Sequence, residues 1–266
     1  MLAFEKLISI QKTNNTRLCI GLDPQIEKIP KGLAKDTLGI LEFNKIIINC
    51  TWKFVCAYKI NFAFYEQFGS KGIEIIEKTL EIIPKNIVTI ADGKRADIGN
   101  TSKAYAKAFY EHFKFDCATL NPFLGIDSLE PFFEYPDKLN FVLICTSNPG
   151  ASDFQKLEIN DAKLYEIILK RLLARFDQSN LGFVVGATNE KEFSLIRDQT
   201  NEHFILLPGI GTQGGNLGKI LFLNNNKNLI VNVSRDIIFA SSEKDFEQKI
   251  IERTRFYYEN LTLVDV

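Results

Sequence analysis

Asp92, Lys94 and Asp97 fall within six consecutive residues, at the end of the stretch Asn86-Ile87-Val88-Thr89-Ile90-Ala91-Asp92-Gly93-Lys94-Arg95-Ala96-Asp97. A lysine between two carboxylates offers acid–base chemistry or a polar ligand site. The apolar run at 86–91 reads as a β-strand, and a helical pattern at 102–113 follows it. Strand side chains alternate between faces, so the pleat predicts Asp92 and Lys94 on one side. Opposite charges aimed inward there need each other, or a ligand, to offset their desolvation. The structural alternatives are a plain ion pair for Asp92 and Lys94, and a helix N-cap for Asp97.

Elements that could position such a cluster recur along the chain. Strand-like runs stand at 17–22, 55–60, 86–91, 117–120, 140–145, 182–187, 204–207 and 229–233. Several are continuous apolar runs, as parallel strands buried on both faces should be. Amphipathic patterns at 38–54, 72–83, 162–176 and 246–258 lie between them. Eight strand–helix units in about 250 residues predict a (β/α)8 TIM barrel, with 1–266 as a single domain. A doubly wound open sheet is the alternative, because periodicity does not report closure. The tract Asn224-Asn225-Asn226-Lys227-Asn228 reads as a surface turn before the last strand.

In a barrel the active site sits at the C-terminal strand ends. Polar residues fall there repeatedly: Gly21-Leu22-Asp23-Pro24, Lys59 and Asn61, Asp92 and Lys94, Thr146-Ser147-Asn148-Pro149-Gly150, and Ser234-Arg235-Asp236. Each alone has a dull explanation, such as a turn at Asp23-Pro24 or a snorkelling Lys59. Their joint occurrence at one end of successive strands predicts a polar ligand site. The segment Pro208-Gly209-Ile210-Gly211-Thr212-Gln213-Gly214-Gly215 carries four glycines. Its backbone N–H groups can approach an anion closely, and the following helix presents its positive end. With a donor from Gln213 and the fork of Arg235, this predicts a phosphate site.

Composition narrows the classes. The chain has 266 residues, 45% of them hydrophobic, with 22 Phe, enough for a sizeable core. Its 32 basic and 33 acidic residues balance, and no basic stripe supports nucleic-acid binding. The five cysteines are scattered and lack a Cys-x-x-Cys pair, which fits a reducing compartment better than a disulfide framework. The first ten residues lack a signal-peptide core, and no run approaches the roughly 20 apolar residues of a membrane span. A soluble, cytoplasmic protein is expected. With only His112 and His203 present, both in structural settings, zinc sites and Ser-His-Asp chemistry lose support. Acid–base work falls to carboxylates and lysines.

The segment Asp92-Gly93-Lys94-Arg95-Ala96-Asp97-Ile98-Gly99-Asn100-Thr101 resembles the Asp-x-Lys-x-x-Asp signature of the orotidine 5′-phosphate decarboxylase family. Leu22-Asp23-Pro24, Lys59-Ile60-Asn61, Thr146-Ser147-Asn148-Pro149-Gly150, the 208–215 segment and Ser234-Arg235 match its other segments in order, from about residue 17 to 240, most like the longer subgroup. Ala96 departs from the glycine common in this loop, which questions the loop's backbone conformation but removes no functional group. Gly93 replaces a small residue expected to face away from the site.

The resemblance implies conversion of orotidine 5′-phosphate to uridine 5′-phosphate in pyrimidine biosynthesis, by a homodimer with no metal or organic cofactor. It implies that Lys94 protonates C6 of the pyrimidine. Lys59, Asp92 and Lys94 would form a charged array completed by Asp97 of the partner chain. Asp23 and Lys59 would hold ribose hydroxyls, with Thr101 of the partner nearby. Ser147 and Pro208 would meet the pyrimidine, and Gln213 and Arg235 the phosphate. Asn61 and Ile98 would be secondary contacts. Two competing readings are a Mg2+-dependent sugar-phosphate decarboxylase or aldolase, and a non-catalytic nucleotide-binding barrel. The first lacks an extra carboxylate on strand 2, where Lys59-Ile60-Asn61 stands. The second is disfavoured because Lys94, Asp92 and Asp97 are all present.

Overall fold

The computed structural model describes residues 1–211 and 215–263. Its main sheet contains β1 (Leu18–Leu22), β2 (Ala57–Asn61), β3 (Val88–Arg95), β4 (Cys117–Leu120), β5 (Leu139–Cys145), β6 (Leu181–Val185), β7 (Ile205–Pro208) and β8 (Leu229–Val233). The strand order is β1-β8-β7-β6-β5-β4-β3-β2 and the ring closes, which decides for the barrel over the open sheet. All five residues of β1, of β6 and of β8 are buried, as strands covered on both faces require.

The helices are α1 (Ala3–Asn14), α2 (Thr37–Thr51), α3 (Ser70–Ile82), α4 (Gly99–Lys107), α5 (Leu164–Arg175), α6 (Glu190–Thr200), α7 (Leu217–Asn224) and α8 (Phe246–Asn260), with shorter turns between them. Two patterns read as single helices change pitch near their ends. Trp52–Phe54 tightens into a 3-10 turn after α2, and Ala108–His112 widens into a π turn after α4. Residues 162–163, expected to open a helix, instead form a small antiparallel hairpin with Glu158–Ile159. Asn160 and Asp161 supply its turn at φ +49 and +64, a conformation these two residue types tolerate better than most. Among the described residues no helix is long and apolar enough to cross a membrane.

The chain divides into two compact units. The first, residues 5–93 and 232–266, holds β1, β2, most of β3, and α2, α3 and α8. Asp36 caps α2, accepting from the Gly39 N–H at 2.9 Å. The α2 face buries Phe43 against Phe239, with ring centroids 6.0 Å apart. Asn44 on the same helix donates to Tyr65 Oη at 2.9 Å and to Thr79 Oγ1 at 3.0 Å. Tyr65 in turn donates to the Leu22 carbonyl at 2.9 Å, so a core network ends at the C-terminal end of β1.

The second unit, residues 1–4 and 94–231, holds the start of α1, β4 to β7, and α4 to α7. Ala3 N–H donates to the Asp137 carbonyl at 2.8 Å, and Phe4 meets Phe204 edge-on at 5.1 Å. Phe109, Phe115 and Phe132 fill the space around β4, all buried. Here α6 and α7 bracket β7, each preceding a strand whose first residues are buried.

Candidate active site

In the first unit three charged side chains meet at the ends of successive strands. The β1–β2 register sets Gly21 opposite Lys59, and the β2–β3 register sets Asn61 opposite Asp92. Lys59 Nζ lies 2.7 Å from Asp92 Oδ2 and 3.6 Å from Asp23 Oδ1. All three residues are buried, Lys59 being 4% exposed. Burial alone would pull the Lys59 ammonium down. The charges of Asp23 and Asp92, with the Asp92 hydrogen bond, outweigh it and hold Lys59 above the ordinary lysine range. It is therefore a permanent cation at neutral pH.

Asp23 Oδ1 is buried and receives no hydrogen bond among the described residues. A buried acceptor without a donor is costly, and a ligand hydroxyl would supply one. Gly21 is required beside it: a Cβ there would come within 1.8 Å of Ser234 Oγ and 3.0 Å of Asp23 Oδ2. Asn61 is half-buried, its Oδ1 accepting from the Ala63 N–H at 3.2 Å in the turn after β2. Arg235 is exposed and opens the short turn Arg235–Ile238 after β8. That turn is braced by Asp236, which accepts from Arg253 Nη2 at 2.6 Å and from the Tyr257 hydroxyl. The bracing role of Asp236 carries no sequence signal beyond its place in the strand-end motif.

In the second unit the lysine loop is fixed by its backbone. The apolar pattern ends at Ala91, yet β3 continues to Arg95. Lys94 has φ +48, so the two-residue alternation expected of Asp92 and Lys94 does not extend through it: a left-handed residue is outside the pleat. Lys94 is exposed, whereas Asp92 is buried. The Lys94 N–H donates to Thr119 Oγ1 of β4 at 3.0 Å. The next residue is clamped as well. The Arg95 guanidinium lies over the rings of Tyr105 and Phe109, at 5.2 and 5.8 Å, and its carbonyl accepts from Asn121 N–H at 3.2 Å.

Asp97 is not the N-cap of the following helix. Ile98 holds that position without a side-chain cap, and Asp97 Oδ1 accepts from the Ile98 N–H at 2.8 Å. Gly99 takes φ +50; the left-handed residues of this loop are Lys94 and Gly99, and Ala96 is not among them. Alanine at 96 therefore meets no backbone penalty that glycine would avoid. Ile98 is 63% exposed, and Thr101 is exposed one turn into α4.

The end of β6 touches the two remaining segments. A Cβ at Gly186 would lie 2.6 Å from Ser147 N, and the Ala187 N–H donates to the Pro208 carbonyl at 2.9 Å. Ser147 and Pro208 are both half-buried. Gly209 and Gly211 take φ +99 and +91, so glycine is needed in the turn leaving β7. Asn216 caps α7 through the Lys219 N–H at 3.1 Å. Gln213 lies outside the described residues. Of the two histidines, His203 donates from Nδ1 to the Thr200 carbonyl at 2.5 Å, a structural setting.

A sequence profile described as the orotidine 5′-phosphate decarboxylase / HUMPS family matches residues 16–248. The chain belongs to this family. It is 44% identical over 255 residues to orotidine 5′-phosphate decarboxylase of Dehalococcoides mccartyi strain CBDB1, covering 93% of each chain. Among solved structures it superposes on Leishmania donovani OMP decarboxylase with a TM-score of 0.83 at 32% identity, covering 97% of this chain and 99% of that one. Leishmania donovani UMP synthase gives a TM-score of 0.85 at 34% identity, with 97% of this chain matched to 57% of that longer one. The similarity places the chain among enzymes, in the carboxy-lyase branch of the family, and ties it to pyrimidine biosynthesis.

Proposed function

We propose that this protein decarboxylates orotidine 5′-phosphate to uridine 5′-phosphate without a cofactor, and that Lys94 delivers the proton to C6. The observation that carries the reading is the buried trio of Lys59, Asp92 and Asp23, with Lys94 on the same strand as Asp92. Loss of CO2 from C6 leaves a carbanion that no adjacent carbonyl delocalises in the usual way. A lysine cation beside C6 stabilises that charge as it develops, then protonates the carbon. The carboxylates of Asp92 and Asp97 bear on the departing CO2, and Lys59 fixes Asp92.

Asp23 and Lys59 would take ribose hydroxyls, which suits the Asp23 oxygen that lacks a donor. Ser147 and Pro208 would meet the pyrimidine, with Asn61 and Ile98 as secondary contacts. Gln213 and Arg235 would hold the phosphate, whose binding is remote from the reacting bond yet can be expressed in the transition state. The working form is a homodimer of single-domain barrels, 1–266, in the cytoplasm, each lending Asp97 and Thr101 to its partner.

The test is the fall in ultraviolet absorbance of orotidine 5′-phosphate with purified, EDTA-treated protein. Wild type should turn over to uridine 5′-phosphate. Lys94→Ala should lose roughly 10⁴-fold in kcat while still binding the product nucleotide. Near-normal turnover by that variant would sink the mechanism. Activity lost in EDTA and restored by Mg2+ would favour the metal-dependent sugar-phosphate chemistry instead.

A further inference from the structure

Thr146, the residue before Ser147, has all of its hydrogen-bonding groups engaged within the second unit. Its N–H donates to Gln155 Oε1 at 2.8 Å, and its carbonyl accepts from Asn189 Nδ2 at 2.8 Å. Its hydroxyl donates to Asn148 Oδ1 at 2.7 Å and accepts from Gln155 Nε2 at 2.9 Å. Asn189 is 8% exposed, and its Oδ1 accepts from Lys156 Nζ at 3.1 Å. That ammonium is paired with Glu192 Oε1 at 2.9 Å, Glu192 being 9% exposed. The Asn189 backbone is pinned too: its N–H donates to the Gly186 carbonyl at 3.1 Å and its carbonyl accepts from Phe193 N–H at 2.7 Å.

This chain of bonds has a geometric consequence. The Thr146 carbonyl and the Ser147 N–H belong to one planar, trans peptide and point in opposite directions. An amide that fixes the carbonyl therefore fixes the aim of the Ser147 N–H and the starting direction of its side chain. A loop needing only to be stable could satisfy that carbonyl with water. Here a buried amide does it, and the amide's own rotation is set by a half-buried ion pair.

We propose that Asn189, oriented by the Lys156–Glu192 pair, is a positioning residue that sets Ser147 for recognition of the pyrimidine ring. The inference rests on the decarboxylase reading above and assigns base selectivity to residues that do not touch substrate. Gln155 holds the opposite side of the same residue and shares the role.

The test compares uridine 5′-phosphate with ribose 5-phosphate, which keeps the sugar and phosphate but lacks the base. Asn189→Ala should weaken uridine 5′-phosphate binding and raise KM for orotidine 5′-phosphate by ~10-fold. Its affinity for ribose 5-phosphate should change by less than about twofold. Lys156→Met should show the same selective loss, smaller in size, and Lys156→Arg should restore it. Equal losses for both ligands, or none for either, would overturn the positioning role. Should Asn189→Ala fold poorly, Asn189→Asp keeps the acceptor for Lys156, removes the donor to Thr146, and is read the same way. Wild type that neither turns over orotidine 5′-phosphate nor binds uridine 5′-phosphate removes the decarboxylase reading and this one together. Wild-type turnover with an unchanged ligand ratio in the variants removes only this one.

Discussion

Lys59 and Arg197 are both buried, 4% and 1% exposed, but their surroundings are opposite in kind. Lys59 faces two carboxylates, at 2.7 and 3.6 Å. Arg197 on α6 is held by neutral acceptors: Asn224 Oδ1 at 3.3 Å, the Asn228 carbonyl at 2.9 Å, Thr200 Oγ1 at 2.8 Å and the His203 carbonyl at 2.7 Å. Burial pulls the Arg197 guanidinium down to about 10, with the charge of Glu202 opposing it, and Lys59 is pushed the other way by its carboxylates. The cation held by these neutral acceptors ties α6 to two turns, although its Nε is buried without a hydrogen-bond partner among the described residues. The Lys59 ammonium instead pairs with two carboxylates, and one Asp23 oxygen there receives no hydrogen bond among the described residues. Carboxylate pairing marks the site, and neutral acceptors mark the scaffold.

Exchanging each cation for methionine tests that distinction hardest. Lys59→Met removes the ammonium paired with both buried carboxylates, a loss of about 3–5 kcal/mol in stability by the usual cost of breaking a buried pair. Turnover should fall by on the order of 10³-fold or more. A Lys59→Met enzyme with near wild-type kcat/KM would end the assignment of this trio to the site. Arg197→Met should instead lower stability by roughly 2–3 kcal/mol, as two buried and two part-buried acceptors lose their donor while a desolvated charge is removed. Its kcat/KM per folded molecule should equal wild type. Chemical denaturation alongside activity separates the two outcomes, and reduced turnover at a full folded fraction would make Arg197 more than a strut.

The same contrast explains what the sequence disclosed. Asp23, Lys59 and Asp92 were legible because each stands at or near the end of an apolar run, and strand ends are where polar residues stand out. Arg197 was not, because Ser194-Leu195-Ile196-Arg197-Asp198 reads as a helix face with solvent charges. Its burial depends on the 224–228 turn, where Asn225 and Asn226 take φ +49 and +56 and the Asn228 carbonyl is brought to α6. The tract was recognisable as a turn, but its buried partner was not. Strand boundaries were legible within a few residues except at β3, which runs on four residues to Arg95 after the apolar pattern has stopped. Thr119 was invisible for a related reason. Inside Cys117-Ala118-Thr119-Leu120 it looks like a β-branched core residue, and only its neighbour across the sheet makes it an acceptor for Lys94.

Thr119→Val therefore gives a smaller, sharper test within the site. The shapes match, and the change removes one acceptor from a backbone N–H, worth about 1 kcal/mol. Lys94 should become less well placed rather than absent. We expect kcat to drop roughly 5- to 10-fold, with the affinity for ribose 5-phosphate unchanged. Serine at 119 should recover most of the loss. An unchanged kcat in Thr119→Val would mean that the Thr119 bond does not position the lysine.

The smallest effect is in pH, and it again sets the two cations against each other. The His203 carbonyl accepts from Arg197 Nη2 while its ring is half-buried. Desolvation lowers its pKa, the Thr200 hydrogen bond opposes this, and the Arg197 charge adds to the lowering. With the folded value below the ordinary one of 6.5, the unfolded chain takes up the proton first. The stability contribution is intact above that pH and is lost as pH falls through the folded value. Lys59 behaves inversely: its contribution is complete below the ordinary 10.5 and is lost as pH rises through its raised folded value. Arg197→Met should move the His203 titration, followed by NMR of its ring proton, back toward 6.5 and flatten the acid limb of the stability profile. On the alkaline side Lys59→Met should remove a loss of stability, whereas Arg197→Met removes an opposite contribution, since the lowered Arg197 pKa makes stability rise with pH above about 10. If the His203 titration stays where it is in Arg197→Met, burial and the Thr200 bond set it, and the cation on α6 acts only through its hydrogen bonds.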